Sequence, residues 1–168
     1  AADKCENLIS MDIQYGKITS AALVEAGRFT PPQGGGPLAG GPGGMEVFKK
    51  APEFCRVTAT LAPTSSSDIR IEVWLPADNW NGRFVGIGNG VWGGSISHSA
   101  LAEPVSKGYA AAATNAGHFG TGMDAKFAIG NREKLIDFGH RAVHEMTVKA
   151  KTILAEYYGR KEDYALWV

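Results

Sequence analysis

Between residues 54 and 76 the chain alternates apolar and polar positions. FCRVTATLAP does so first, and DIRIEVWLP repeats it with Ile69, Ile71, Val73 and Leu75 on one face. A period of two marks half-buried strands, and the turn-forming PTSSSD between the runs makes the pair an antiparallel hairpin. A turn at Asn79 to Gly82 leads into a third strand, Arg83 to Ile87. HSALAEPVSKG predicts a short helix closed by Gly108. YAAAATN predicts a strand of small residues that neighbouring backbones and helices can approach closely. The period then changes. Phe138, Ala142, Met146, Ala150, Ile153 and Tyr157 recur at three- and four-residue steps, predicting one long helix from Asp137 to Tyr158 with a single buried stripe. Gly159 ends it. The short, bulky run YALWV, Tyr164 to Val168, reads as a fully buried strand.

Antiparallel strands followed by alternating helices and strands predict an α/β fold, with a mixed sheet that opens on the hairpin and turns parallel. Residues 1–52 read as an N-terminal segment with a Gly/Pro-rich loop, RFTPPQGGGPLAGGPGG (Arg28 to Gly44), which has no periodicity. Residues 53–168 carry the regular elements, and no internal repeat is visible.

Composition narrows the partners. Seventeen basic residues balance seventeen acidic ones in 168, so no global field draws the chain to nucleic acid or anionic lipid. No apolar stretch approaches the roughly 20 residues of a spanning helix. The opening AADKCENL fits a mature N-terminus left by cleavage behind small residues. Cys5 and Cys55 are the only cysteines. They fit two buried thiols or one disulfide closing a long loop, worth about 3–4 kcal/mol and typical of an oxidising compartment. Spacing alone does not choose between them.

Two loops could carry chemistry. GIGNGVWGG (Gly86 to Gly94) follows a strand, and its five glycines allow positive φ and close approach of bare N–H groups to a ligand. A phosphate cradle lacks its Gly-Lys-Ser/Thr signature here. An oxyanion hole is the other use, since α/β-hydrolases draw one such N–H from the loop after the third strand. A plain glycine turn is the alternative. TNAGHFGTG (Thr114 to Gly122) lies at the C-terminal end of the next strand, where open α/β sheets place ligands, and makes His118 a candidate pocket residue. His140 and His144 stand four apart in HRAVHEM, but the order is not that of HExxH and no third ligand is in view. They read as polar groups on a packed helix, and no metal is expected. Ser95, Ser97 and Ser99 match no nucleophile elbow. The surroundings of a nucleophile are present without the nucleophile.

Taken in order, FCRVTATLAPTSSSDIRIEVWLPADNWNGRFVGIGNGVWGGSIS, KGYAAAATNAGH, EKLIDFGHRAVHEMTVKAKTILAEYYGR and YALWV resemble the tannase and feruloyl esterase family. That family also includes the enzyme that cleaves mono(hydroxyethyl) terephthalate. The resemblance runs from about Cys5 to Val168. It implies the N-terminal part of an α/β-hydrolase that cleaves carboxylic esters of aromatic acids through Ser, His and Asp. The family's nucleophile lies in a Gly-Cys-Ser-x-Gly-Gly segment directly after the strand matching YALWV, which puts the elbow just past Val168. A large lid, often holding calcium, and the Asp and His of the triad follow in the family; none lies in this chain, so no cofactor is expected within it.

By the same resemblance Gly90, with Val91, supplies one oxyanion N–H, and Asn89, Trp92 and His118 line the substrate pocket. Cys5 and Cys55 match the family's N-terminal disulfide, which implies a secreted or periplasmic protein. One position departs from the pattern: the family commonly has Thr-Asp-Thr-Gly-His where this chain has TNAGH, so Asn115 replaces an acid. The expected partners are a small aromatic ester and the remainder of the hydrolase, on this chain or another. The competing reading is a catalytically inert, truncated hydrolase that serves as a binding or structural module. Against it stands the long apolar edge that YALWV would leave. The enzyme reading requires Val168 to end within about 10 Å of the Gly88–Val91 loop, and the loop amides to be free.

Overall fold

The structure, a computed structural model, describes residues 2–32 and 45–168; most of the expected Gly/Pro-rich loop, residues 33–44, lies outside them. The sheet begins before the hairpin. After a short helix α1 (Ala2–Glu6), strands β1 (Asp12–Ile13) and β2 (Gly16–Val24) pair antiparallel. Pattern alone does not reveal β2, because in GKITSAALV only Ile18 is buried and the register shifts between Ile18 and Ser20. Such a bulge breaks the period of two. Past the one-turn helix α2 (Glu46–Lys49) comes the expected hairpin, β3 (Phe54–Leu61) and β4 (Ile69–Pro76), in register from Phe54↔Pro76 to Leu61↔Ile69.

The remaining elements are β5 (Arg83–Ile87), α3 (His98–Ser106), β6 (Ala110–Thr114), α4 (Arg132–Ile136), α5 (Ala142–Tyr158) and β7 (Tyr164–Trp167). All seven strands form one mixed sheet in the order β1-β2-β3-β4-β6-β5-β7. β4 meets β6 antiparallel, while β5 runs parallel to both β6 and β7. This is the expected α/β sheet that turns parallel.

Alternation decides which residues enter which of two cores. Ile69, Ile71, Val73 and Leu75 share one face with Ala110 and Ala112, and against them lie Met146, Ala150 and Ile153 of α5. Trp74, Val85, Ile87, Ala111 and Ala113 face the other way, toward Leu101 and Val105 of α3. Fully buried on both faces, the alanines of β6 let the two helices lie close to the backbone. The described residues before the hairpin share this core: Cys5, Leu8, Ile13 and Ile18 pack with Val57 and Leu61. Cys5 and Cys55 are bonded, joining α1 to β3.

Two expectations are corrected. The long helix starts before Asp137: Asn131 caps it by accepting from the Lys134 N–H, α4 follows, and a wide π-turn over Asp137–Arg141 leads into α5. The polar first turn, Arg132–Lys134, carries no apolar stripe to announce it. The second correction concerns β7, which is exposed. Tyr164 is 67% accessible and Val168 71%, because β7 pairs with β5 alone and no described helix covers it.

One charge sits inside the layer between sheet and α3. Glu72 of β4 is 6% exposed and accepts from Arg56 through both oxygens, from Trp74 Nε1 at 2.9 Å, and meets His98 Nε2 at 3.0 Å. Burial pushes its carboxyl up, but the bonds from His98 and Arg56 outweigh it and hold the group at about 2. The first residue of α3 is thereby tied to the middle of the sheet.

Candidate active site

The three parallel strands deliver their C-terminal ends to one edge. β5 is the middle strand of the three, so the loop that follows it, residues 88–94, lies between the ends of β6 and β7. Val168 continues β7 against this loop: its N–H donates to Gly86 O at 3.1 Å, and its carbonyl accepts from Gly88 N–H at 2.7 Å. The chain therefore ends its seventh strand in direct contact with the glycine loop, inside the 10 Å that the sequence required.

Within the loop, Gly93 N–H closes a tight turn on Gly90 O at 2.9 Å. Trp92 N–H donates to Gly122 O and Gly94 N–H to Gly120 O, so the loop leans on the segment after β6. The N–H groups of Asn89, Gly90 and Val91 find no acceptor among the described residues. The glycines themselves act differently from the expectation. None of the five takes a positive φ; Val91 does, at +52°. Gly86, Gly88 and Gly94 instead permit close approach. A Cβ on Gly86 or Gly88 would meet the Trp167 ring at 2.8 or 3.1 Å, and one on Gly94 would meet His118 at 2.6 Å. Gly90 stands in open space.

Asn89 anchors the start of the loop. Its Nδ2 donates to Ser95 O at 3.1 Å and to Thr114 O at 3.0 Å. Ser95 contributes only that carbonyl, and Ser97 caps α3 by accepting from the Ala100 N–H. Neither serine lies in an elbow.

His118 turns inward. The turn before it places Ala116 at φ +54° and Gly117 at φ +83°, and Asn115 holds it. Asn115 Oδ1 accepts from the N–H groups of Arg70 and Gly117, while its Nδ2 donates to Asp68 O. An aspartate could accept the first two bonds but not donate the third. Asn115 is therefore a buried structural residue, and its missing charge is accounted for. His118 itself is 4% exposed, stacked on Phe127 at 3.6 Å, edge-on to Phe138, and bonded through Nε2 to Trp92 O at 2.8 Å.

A recess of about 420 Å³ opens beside the loop, lined by Gly88, Asn89, Gly90, Phe138, Trp167 and Val168 among others. Trp92 flanks it, packed on Phe138 at 5.2 Å. The structure thus brings Asn89 and Gly90 to the recess, leaves Val91 and Trp92 on the adjoining turn with Trp92 packed on Phe138, and sets His118 against the loop at Trp92 O and Gly94. Phe138 and Trp167 were missed as site residues: helical spacing explained the first, and a buried-strand reading explained the second. Three buried side-chain atoms among the described residues lack a hydrogen-bond partner, namely Asn89 Oδ1, His118 Nδ1 and Asp137 Oδ2. All three belong to segments that border the recess.

His140 and His144 lie exposed on the long helix. Among the described residues no group of three or more His, Cys, Asp or Glu side chains is placed to hold a metal.

A backbone-amide loop beside a strand end, with an aromatic-walled recess, suits the charge that develops on a carbonyl oxygen during acyl transfer. Comparisons with known proteins find esterases among the chain's relatives. The family model described as tannase and feruloyl esterase matches residues 55–168. An uncharacterized esterase of Xanthomonas campestris pv. campestris is 33% identical over 165 residues, covering 98% of this chain and 27% of its own length. Feruloyl esterase B of Aspergillus niger is 36% identical over 116 residues, which is 69% of this chain and 22% of that protein. The crystal structure of an esterase from Aspergillus oryzae superimposes with a TM-score of 0.85 at 27% identity, over 99% of this chain and 32% of that one. The chain spans between 22% and 32% of the length of these relatives.

Proposed function

The chain belongs to the tannase and feruloyl esterase family, and from that premise we propose that it supplies the oxyanion loop of a carboxylic ester hydrolase acting on esters of aromatic acids. The observation that supports this reading is that the Gly90 and Val91 N–H groups have no acceptor among the described residues, in a loop whose Gly88 bonds Val168 at the end of β7. In the reaction, a serine oxygen attacks the ester carbonyl carbon, and the carbonyl oxygen takes up the electron pair of the broken π bond. Gly90 N–H or Val91 N–H donates to that oxyanion. Collapse of the intermediate expels the alcohol, protonated by a histidine, and water then releases the acid by the same path. The serine would sit on the segment that follows β7, outside the 168 residues, with the Asp and His of the triad further on. Phe138, Trp167 and Trp92 offer flat apolar faces to an aromatic acid. The disulfide suits an oxidising compartment and supports secretion or export to the periplasm.

The test compares the complete gene product with residues 1–168 alone, using methyl ferulate turnover and labelling by a fluorophosphonate. The complete product hydrolyses the ester and is labelled once, outside residues 1–168; the isolated chain does neither. Stoichiometric labelling of Ser95, Ser97 or Ser99 would overturn the assignment. Absence of turnover and label in the complete product favours the inert-module reading.

A further inference from the structure

We infer that His118 is a positioning residue, not a substrate contact: it is the strut that holds the Gly90–Gly93 turn in the form that leaves the Val91 N–H free. The inference deepens the hydrolase reading and rests on it for its catalytic consequence, though not for its geometry.

Three observations lead there. First, the turn is strained. It closes through Gly93 N–H on Gly90 O, and its second residue, Val91, has φ +52° while Trp92 is not in the positive region. Positive φ in that place is ordinarily a glycine's role, and a β-branched residue there costs about 1–3 kcal/mol. Strain of this kind persists only where the surroundings over-determine it. Second, the surroundings converge on Trp92. Its N–H is fixed by Gly122 O and its carbonyl by His118 Nε2. A carbonyl only accepts, so His118 must present Nε2–H. Third, packing on Phe127 and Phe138 accounts for the ring of His118 but not for its Nε2 bond. The ring is buried, its Nδ1 meets no partner, and a Cβ on Gly94 would strike it, so the loop has been shaped around it. Without the Nε2 bond, Trp92 O is a partly buried acceptor that loses its partner. The turn can then relax by returning Val91 to negative φ, which rotates the neighbouring peptides and reorients the free N–H.

His118→Phe keeps the stack on Phe127 and removes the donor. His118→Gln returns an N–H near the Nε2 position, whereas His118→Asn places its amide nearer Nδ1. In the complete gene product, we expect H118F and H118N to lower kcat for methyl ferulate about 100-fold with KM changed less than about 3-fold. H118Q should stay within about 5-fold of the parent kcat. A parent-like kcat in folded H118F, or equal damage from H118Q and H118N, overturns the strut. Nitrogen NMR of the unsubstituted protein decides the matter even if H118F fails to fold. Nε2 should carry the proton and Nδ1 should not, and the reverse tautomer overturns the inference. If the parent protein hydrolyses no ester, the hydrolase reading fails on its own. The strut is then judged by that tautomer, and by whether amide exchange at Gly93 and Gly94 quickens in H118F.

Discussion

Replacing Glu72 by Gln removes one charge from within the sheet–α3 layer while keeping the side chain's size. The parent carboxylate is bound from three elements: Arg56 on β3, Trp74 on β4 and His98 at the start of α3. The bonds from His98 and Arg56, working against burial, hold it at about 2 against an ordinary 4.5. A displacement of that size stabilises the folded state by about 3 kcal/mol at neutral pH. The carboxyl is depressed, so its contribution is complete above the unfolded value. It is about half gone near pH 3 and nearly absent by about pH 2. Glutamine offers one acceptor oxygen in place of two and leaves the Arg56 charge without a counter-ion. E72Q should therefore unfold in urea with about 3 kcal/mol less stability at neutral pH, followed by tryptophan fluorescence. The gap between parent and variant should shrink by at least half near pH 3. A neutral-pH gap below about 0.5 kcal/mol, or one that does not change with pH, would refute the reasoning.

Two further outcomes concern the frame of the site. Bond formation between Cys5 and Cys55 closes a chain separation of 50 residues, so the C5S/C55S double variant should lose about 4 kcal/mol in urea unfolding under oxidising conditions; an unchanged midpoint would contradict this. At Val91, glycine relieves the left-handed φ, so V91G should leave stability unchanged or raise it by up to about 1 kcal/mol. A loss of more than about 1 kcal/mol in thermal or urea unfolding would show that the turn is not strained.

Local periodicity was enough to identify β3, β4, β5, β6 and the body of the long helix. In each, the apolar positions repeat at the spacing of the element that buries them, as in Ile69 to Leu75 or Met146 to Ile153. The same one-dimensional signal placed Gly90, Val91 and His118 at strand ends, where ligands gather. It failed where a strand's neighbours do not impose a pattern. β2 has one buried residue and a bulge, and β7 is apolar yet exposed, because burial depends on what covers a strand and not on its own composition. The orientation of the site was likewise beyond the sequence. Whether an amide points outward depends on which carbonyl it meets, and those partners lie far away along the chain: Trp92 with Gly122, His118 with Trp92, Gly88 with Val168. Glycine content suggested that the glycines bend the loop. The fold assigns the bend to Val91 and makes Gly94 the space that His118 fills, because only the packed loops decide which residue must yield.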